Sequence, residues 1–267
     1  MARWDAGIPY VGAGRDLAAA QAPVYLQAGR LTVAYVAASR AEKFCMTPEA
    51  TDTTPGILLC YDNNRFIASI REAAAHADYV VAFPHWGIER STDLQDEQTQ
   101  GARAYIDAGA DAVIGTHAHC MQGIEFYQGK PILYNLGNFW FDGFKGLTAL
   151  AELQLPLTAS ESGRDECAGQ DGRAGRDGHG EQGERFERSG LDVRARQGVR
   201  VEQDERDRQG RRGVDPSGVR LVLYPGWRQM AITSWIDAPA DRANAFRYIE
   251  DISVNATIDE AGFGSEA

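Results

Sequence analysis

Apolar residues along this chain arrive in short β-branched runs that alternate with stretches of helical spacing. Ile8-Pro9-Tyr10-Val11 reads as a short strand, Gly12-Ala13-Gly14 as a tight turn, and Asp16 as the cap of a helix over 17–21. Leu31-Thr32-Val33-Ala34-Tyr35-Val36-Ala37 suits a buried strand. Residues 40–62 carry Pro48, Pro55 and Gly56 and predict irregular chain. From Asn64 to Ala77, apolar residues at Phe66, Ile67, Ile70, Ala73 and Ala74 mark one face of a helix. That helix leads into Tyr79-Val80-Val81-Ala82-Phe83, a second buried strand ending at Pro84-His85-Trp86-Gly87. A further helix over 95–108, closed by Gly109, precedes the short strand Ala112-Val113-Ile114-Gly115.

The pattern then changes. Ile124-Glu125-Phe126-Tyr127 and Pro131-Ile132-Leu133-Tyr134-Asn135 flank Gln128-Gly129-Lys130, a hairpin signature. Residues 147–157 predict another strand, 219–225 another, and 240–252 a helix; the last residues read as a frayed tail. Alternating strands and helices up to about residue 120 predict a largely parallel sheet. The hairpin-like strands that follow predict a second, mixed or antiparallel sheet. Residues 158–218 are almost wholly Gly, Arg, Asp, Glu and Gln, with Phe186 as their single aromatic. Such a stretch buries too little apolar surface to offset its ordering entropy and predicts a disordered insert. The organisation is therefore one domain, 1–157 and 219–267, interrupted by 158–218.

Composition narrows the function classes. The chain has 267 residues, 43% hydrophobic and 24% charged, with net charge -11. An acidic chain is a poor nucleic-acid binder, because that affinity comes from clustered Lys and Arg. Cys45, Cys60, Cys120 and Cys167 show no CxxC pair and read as reduced thiols. The opening MARWDAGIPY lacks the apolar run of a signal peptide, and no stretch approaches the roughly 18 apolar residues of a membrane span.

Candidate chemistry centres on histidine. His85, His117 and His119 follow predicted strand ends, the edge at which open α/β sheets place their ligands. An HxH becomes a compact metal clamp where the backbone leaves strand geometry, and neutral imidazole suits zinc, manganese, iron and nickel. The plainer reading is that a histidine after a strand is a hydrogen-bonded structural residue. His76, on a helix, and His179, in the insert, read as solvent-facing.

The block Pro84-His85-Trp86-Gly87-Ile88-Glu89, Gln98, and Ile106 through His119 resembles the signature of the CapA family of capsule (poly-gamma-glutamate) synthesis proteins. So does its continuation through Ile124-Glu125-Phe126-Tyr127 and Gly129-Lys130-Pro131-Ile132-Leu133-Tyr134-Asn135-Leu136-Gly137-Asn138-Phe139. Weaker similarity covers Gly7 to Ala37 and Asp251-Ile252-Ser253. The resemblance implies a metallophosphoesterase-like four-layer α/β/β/α sandwich, entered after its first strands. It implies divalent metal (Mn, Fe or Zn) at His85, as the lone histidine, and at His117 and His119, as the closing pair. It also brings forward Glu89 as a possible catalytic carboxylate, equally a solvated charge, and Trp86, Gln98 and Asn138 as possible substrate contacts, Trp86 reading more as core than as a substrate platform. Around the HxH this chain has Thr116 and Ala118 where the family often has a second His and a Pro.

The family's early Gly-Asp and Asn-Asn-His ligand segments have no counterpart here, so the metal site reads as incomplete. Three functions stay open on this reading. They are a component of polyglutamate synthesis or export, handling an anionic polymer or its machinery; a metal-dependent phosphoesterase using the three histidines; and a gene fragment without function. Family members are often anchored outside the cytoplasm, a property this stretch of sequence does not address. A variant lacking residues 160–216 is expected to unfold in urea with the cooperativity of the full chain; a variant that cannot fold would refute the disordered-insert reading.

Overall fold

The computed structural model describes residues 7–29, 31–40, 47–139, 145–155, 220–229 and 232–267. The predicted insert over 158–218, with Cys167 and His179, lies outside the described residues, as do Cys45 and 140–144.

The chain opens with β1 (Ala13–Gly14), α1 (Leu17–Gln21), β2 (Val24–Ala28) and β3 (Leu31–Ser39). It continues through β4 (Gly56–Ile57), α2 (Asn64–His76), β5 (Tyr79–Trp86), α3 (Asp96–Asp107), β6 (Ala112–Ile114) and β7 (Thr116–His117). Next come β8 (Ile124–Tyr127), β9 (Lys130–Leu133), β10 (Lys145–Gln154), β11 (Arg220–Gln229) and β12 (Ile232–Trp235). The chain closes with α4 (Pro239–Asp251), β13 (Ala256–Ile258) and β14 (Phe263–Glu266).

The larger sheet runs β2-β3-β5-β6-β9-β8, with β7 pairing β5 beyond β6. Its centre, β3-β5-β6-β9, is parallel, and its edge strands β2 and β8 are antiparallel. The side-chain alternation explains its two covered faces. Ala34, Val36, Ala38, Val80 and Ala82 point one way and bury against Phe66 and Ile70 of α2 and Tyr105 and Ile106 of α3. Leu31, Val33, Tyr79, Val81 and Ala112 point the other way and meet Leu155 and Leu153 at the end of β10. The smaller, antiparallel sheet, β10-β11-β14-β13 with β12 on β11, therefore lies over that second face. Its Ala149, Leu221 and Leu223 join Ile124, Phe126 and Leu133 of the larger sheet, with Phe246 and Ile249 of α4, in one buried cluster. This is the expected α/β sandwich: helices, sheet, sheet, and a closing helix packed beside β11 and β13.

Local signals hold where the physics is local. Asp16 Oδ1 accepts from Ala19 N at 2.8 Å and caps α1. Gln128 and Gly129 take φ of 55° and 71°, the paired positive values of a two-residue I′ hairpin turn.

Four expectations change. Residues 8–11 form no strand; Ile8 and Tyr10 are exposed, and pairing begins only at Ala13. Val24–Ala28, unremarked in the apolar pattern, forms the edge strand β2. β12 completes a hairpin with β11. The C-terminal residues are no frayed tail: β13 and β14 pair with each other, β14 pairs with β11, and Ile258 is buried. Asp259 organises that last turn, its Oδ1 accepting from Ala261 N and Phe263 N at 2.9 Å each. Substituting Ile258→Ala is expected to cost about 2 kcal/mol in urea unfolding, whereas Ile8→Ala stays within about 0.5 kcal/mol; equal effects would return the C-terminus to a tail.

Candidate functional site

β5 runs three residues past its predicted end, so His85 lies inside it, opposite Ser39 of β3 and Thr116 of β7. Successive strand residues face opposite ways. Trp86 is fully buried and stacks between Tyr105 and Tyr134, with ring centroids 6.0 and 6.1 Å away. Its indole N–H donates to Tyr134 O at 3.1 Å. Gly115 makes that bond possible: a Cβ there would stand 2.0 Å from Tyr134 O and 2.3 Å from the Trp86 indole nitrogen. With Trp86 locked inward, His85 is turned the opposite way.

His117 and His119 leave strand geometry, with φ of 99° and 57°. Non-glycine residues avoid these angles, and such strain concentrates at functional sites. The turn brings the rings together. His117 Nδ1 lies 3.0 Å from His85 Nε2, with ring centroids 4.6 Å apart, and His119 lies 6.3 Å from His117. The surrounding bonds hold the rings. Thr116 Oγ1 lies 2.9 Å from His85 Nδ1 and 3.5 Å from Pro84 O, which fixes the His85 ring with Nε2 toward His117. His119 Nδ1 donates to Asn138 Oδ1 at 2.8 Å, which makes its Nε2 the lone-pair nitrogen, and Asn138 Nδ2 returns a bond to His119 O at 3.3 Å.

The other sequence candidates separate. Asn138 reaches the site, but as the residue that orients His119. Thr116, absent from the sequence candidates, does the same for His85; a hydroxyl beside an HxH is the signal that points to it. Glu89 is exposed in the turn after β5. Trp86 and Gln98 are both buried, Trp86 as the core residue that the sequence reading favoured. Gln98 Nε2 donates to Gln122 Oε1 at 3.0 Å, and Gln98 Oε1 accepts from Gln95 N at 3.0 Å. Gln122 Nε2 in turn donates to Ser91 O at 3.0 Å, and Arg90 N donates to Ala118 O at 2.7 Å. This chain of bonds fastens the loop after β5 to the histidine turn.

Behind the site, Glu125 is a buried carboxylate. It accepts from Arg103 Nε at 2.8 Å and from Tyr134 OH at 2.5 Å. Burial, then the bond to Glu125, pushes the Tyr134 hydroxyl up, so it stays a proton donor.

Among the described residues, no group of three or more His, Cys, Asp or Glu side chains is placed to hold a metal ion. The donor chemistry of the pair His85–His117 fits a metal nevertheless. Two nitrogens bound to one ion at about 2.0–2.1 Å are held roughly 3 Å apart, the separation seen here.

Two packed sheets with histidines gathered at the carboxyl edge of parallel strands make this an α/β sandwich with its candidate site at one sheet edge. A profile of the bacterial capsule synthesis protein family PGA_cap matches residues 2–143. The chain belongs to that family. The PGA biosynthesis protein CapA of Bacillus subtilis (strain 168) is 46% identical over 118 residues, 44% of this chain and 31% of that protein. The capsule biosynthesis protein CapA of Bacillus anthracis is 34% identical over 142 residues, 52% of this chain and 34% of that protein. This chain thus spans about a third of the length of these curated relatives. A solved structure described as a novel phosphatase from Mycoplasma pneumoniae aligns with TM-score 0.31 at 11% identity, covering 45% of this chain and 36% of that one.

The buried amide chain gives a direct test. Gln98→Leu leaves Gln122 Oε1 and Gln95 N–H without their partner and is expected to cost about 2 kcal/mol in urea unfolding. A change within about 0.5 kcal/mol would mean that Gln98 holds nothing.

Proposed function

We propose that this chain is the histidine-bearing segment of a protein serving poly-gamma-glutamate capsule synthesis, and that His85, His117 and His119 hold a divalent manganese, iron or zinc ion there. One observation carries the metal reading: the 3.0 Å approach of His117 Nδ1 to His85 Nε2, obtained through a strained backbone at His117. The membership in a capsule synthesis family and the two CapA relatives support the process.

When bound, such an ion polarises a phosphoryl or carbonyl oxygen and acidifies a bound water. The chain's own residues set the conditions for it. Thr116 fixes the His85 ring so that Nε2, not Nδ1, faces His117. Asn138 does the same for His119. Both are the outer hydrogen bonds that orient metal-ligating imidazoles. The proton shared between His117 Nδ1 and His85 Nε2 would have to leave or relocate before both nitrogens could hold an ion. Trp86 keeps water from the inner side of β5.

The competing reading is that His85 and His117 are simply a hydrogen-bonded pair. Zinc and manganese titrations of the purified chain, followed by calorimetry and by metal content after gel filtration, separate the two. The metal reading expects saturable binding weakened about ten-fold or more by His117→Ala. Equal uptake by the wild-type chain and by a variant with all three histidines changed to Ala would end it. Manganese-dependent hydrolysis of a simple phosphodiester, abolished by His119→Ala, would add the phosphoesterase activity to this segment.

A further inference from the structure

Beside His119 the two sheets diverge and leave an open groove of about 500 Å³. One wall is the turn His119-Cys120-Met121 with Asn138; the opposite wall is α4, presenting Asp241, Asn244, Ala245 and Tyr248. Lys145, Gly146, Leu147 and Trp227 of the smaller sheet form the remaining side. The volume falls within the range of small-ligand sites.

Three properties define what the groove can take. The first is exposed aromatic surface: Trp227 is 50% exposed and Tyr248 42%. Next to the lining residues Asn138 and Ile236, Phe139 and Trp235 meet with ring centroids 6.0 Å apart, both of them exposed. Large aromatics grouped at the surface mark binding sites. Their electron-rich faces favour electropositive C–H edges, which the faces of a sugar ring provide. The second is charge. Lys145 and Asp241 cancel within the lining, and the chain as a whole carries -11; neither feature draws in a polyanion. Arg247, which does not line the groove, donates to Asn244 Oδ1 at 2.5 Å. The third is the pairing of the strand that carries Trp227. Trp227 is paired on both sides, to Leu147 of β10 and to Ser234 of β12, so its strand has no open ladder for an added peptide. What remains is a set of amide and carboxylate groups suited to hydroxyls and acetamides, with Met121, Leu147 and Ala245 as apolar neighbours for a methyl group.

We infer that this groove binds a neutral, N-acetylated glycan, its rings laid on Trp227 and Tyr248 and its polar groups met by Asn138, Asp241 and Asn244. The inference goes beyond the proposed function and needs no metal at the histidines. It places a second kind of polymer next to the histidine turn of a capsule synthesis protein.

The test is calorimetric titration of the full chain with the N-acetylglucosamine tetramer, with cellotetraose and with a γ-glutamyl tetramer. A parallel assay follows alkylation of Cys120, read by mass spectrometry. Cys120 lines the groove, and the buried Cys60, whose thiol burial pushes up to about 11, serves as the unreactive internal control. The expected result is binding of the N-acetylated tetramer more tightly than either alternative, slower alkylation of Cys120 in its presence, and about ten-fold weaker binding in both Trp227→Ala and Asn244→Ala. No binding of either saccharide overturns the inference, as does binding that neither substitution weakens. Preferential binding of the γ-glutamyl tetramer also overturns it, while strengthening the polyglutamate reading. Because Cys120 protection is measured on the unaltered chain, it decides the question even where a substituted chain fails to fold: unchanged alkylation at saturating N-acetylated tetramer overturns the inference.

Discussion

The arrangement of the candidate site depends on one bond, from the indole of Trp86 to the carbonyl of Tyr134 across Gly115. It ties the carboxyl ends of β5, β6 and β9 into one unit at the point where the parallel ladder is running out. A tryptophan is large enough to fill the space beneath that edge, and stacking between two tyrosines leaves it little room to turn. The consequence for chemistry is geometric. In a strand, a residue whose neighbour is pinned inward must itself face outward. His85 therefore takes its direction from core packing, before any ligand is considered.

The second constraint runs through the turn after β7. Both histidines of an HxH at positive φ are costly, at about 1–3 kcal/mol each, and something must hold them. Here the holding groups are spread over distant stretches of chain. Thr116 and Asn138 fix two of the three rings, Arg90 N–H grips Ala118 O, and the Gln98–Gln122–Ser91 relay secures the loop that carries Arg90. The buried Glu125, neutralised by Arg103 and bonded to Tyr134, stiffens the floor under both. A turn strained in this way and over-determined from several sides has only a narrow range of positions for its imidazoles, which is what a ligand site needs.

How much of this is legible in the sequence follows from how local each signal is. The runs 31–37 and 79–83 and the spaced apolar residues of 64–77 carry their own periodicity, so the parallel half of the fold can be read directly. The hairpin at Gln128-Gly129 is equally plain, because its turn chemistry is contained in two residues. β2, β12 and the β13–β14 hairpin are not legible. Each is stabilised mostly by a partner strand rather than by its own pattern, and Ile8–Val11 shows the converse: an apolar run without a partner forms no strand. The three histidines stand out by spacing and resemblance. The burial of Gln98 does not, since burial is a property of the packed chain and a glutamine serves equally well at a surface. Thr116 is easily discounted because a departure from a familiar pattern looks like loss, when in space the hydroxyl is a hydrogen-bond partner of His85.

Asn138 carries the remaining step. It belongs to the segment that leaves the larger sheet after β9 and enters the smaller one at β10, and it both orients His119 and lines the groove between the sheets. The direction of the third imidazole is thus set by the link between the two layers, while His85 and His117 lie on β5 and β7, paired within the larger sheet. A change in how the sheets pack would leave the His85–His117 pair intact and move His119. This divides the site into a fixed pair and a third member coupled to the groove. A ligand seated against Asn138 would be felt at His119 Nδ1 directly, through one hydrogen bond, without any rearrangement of the parallel core.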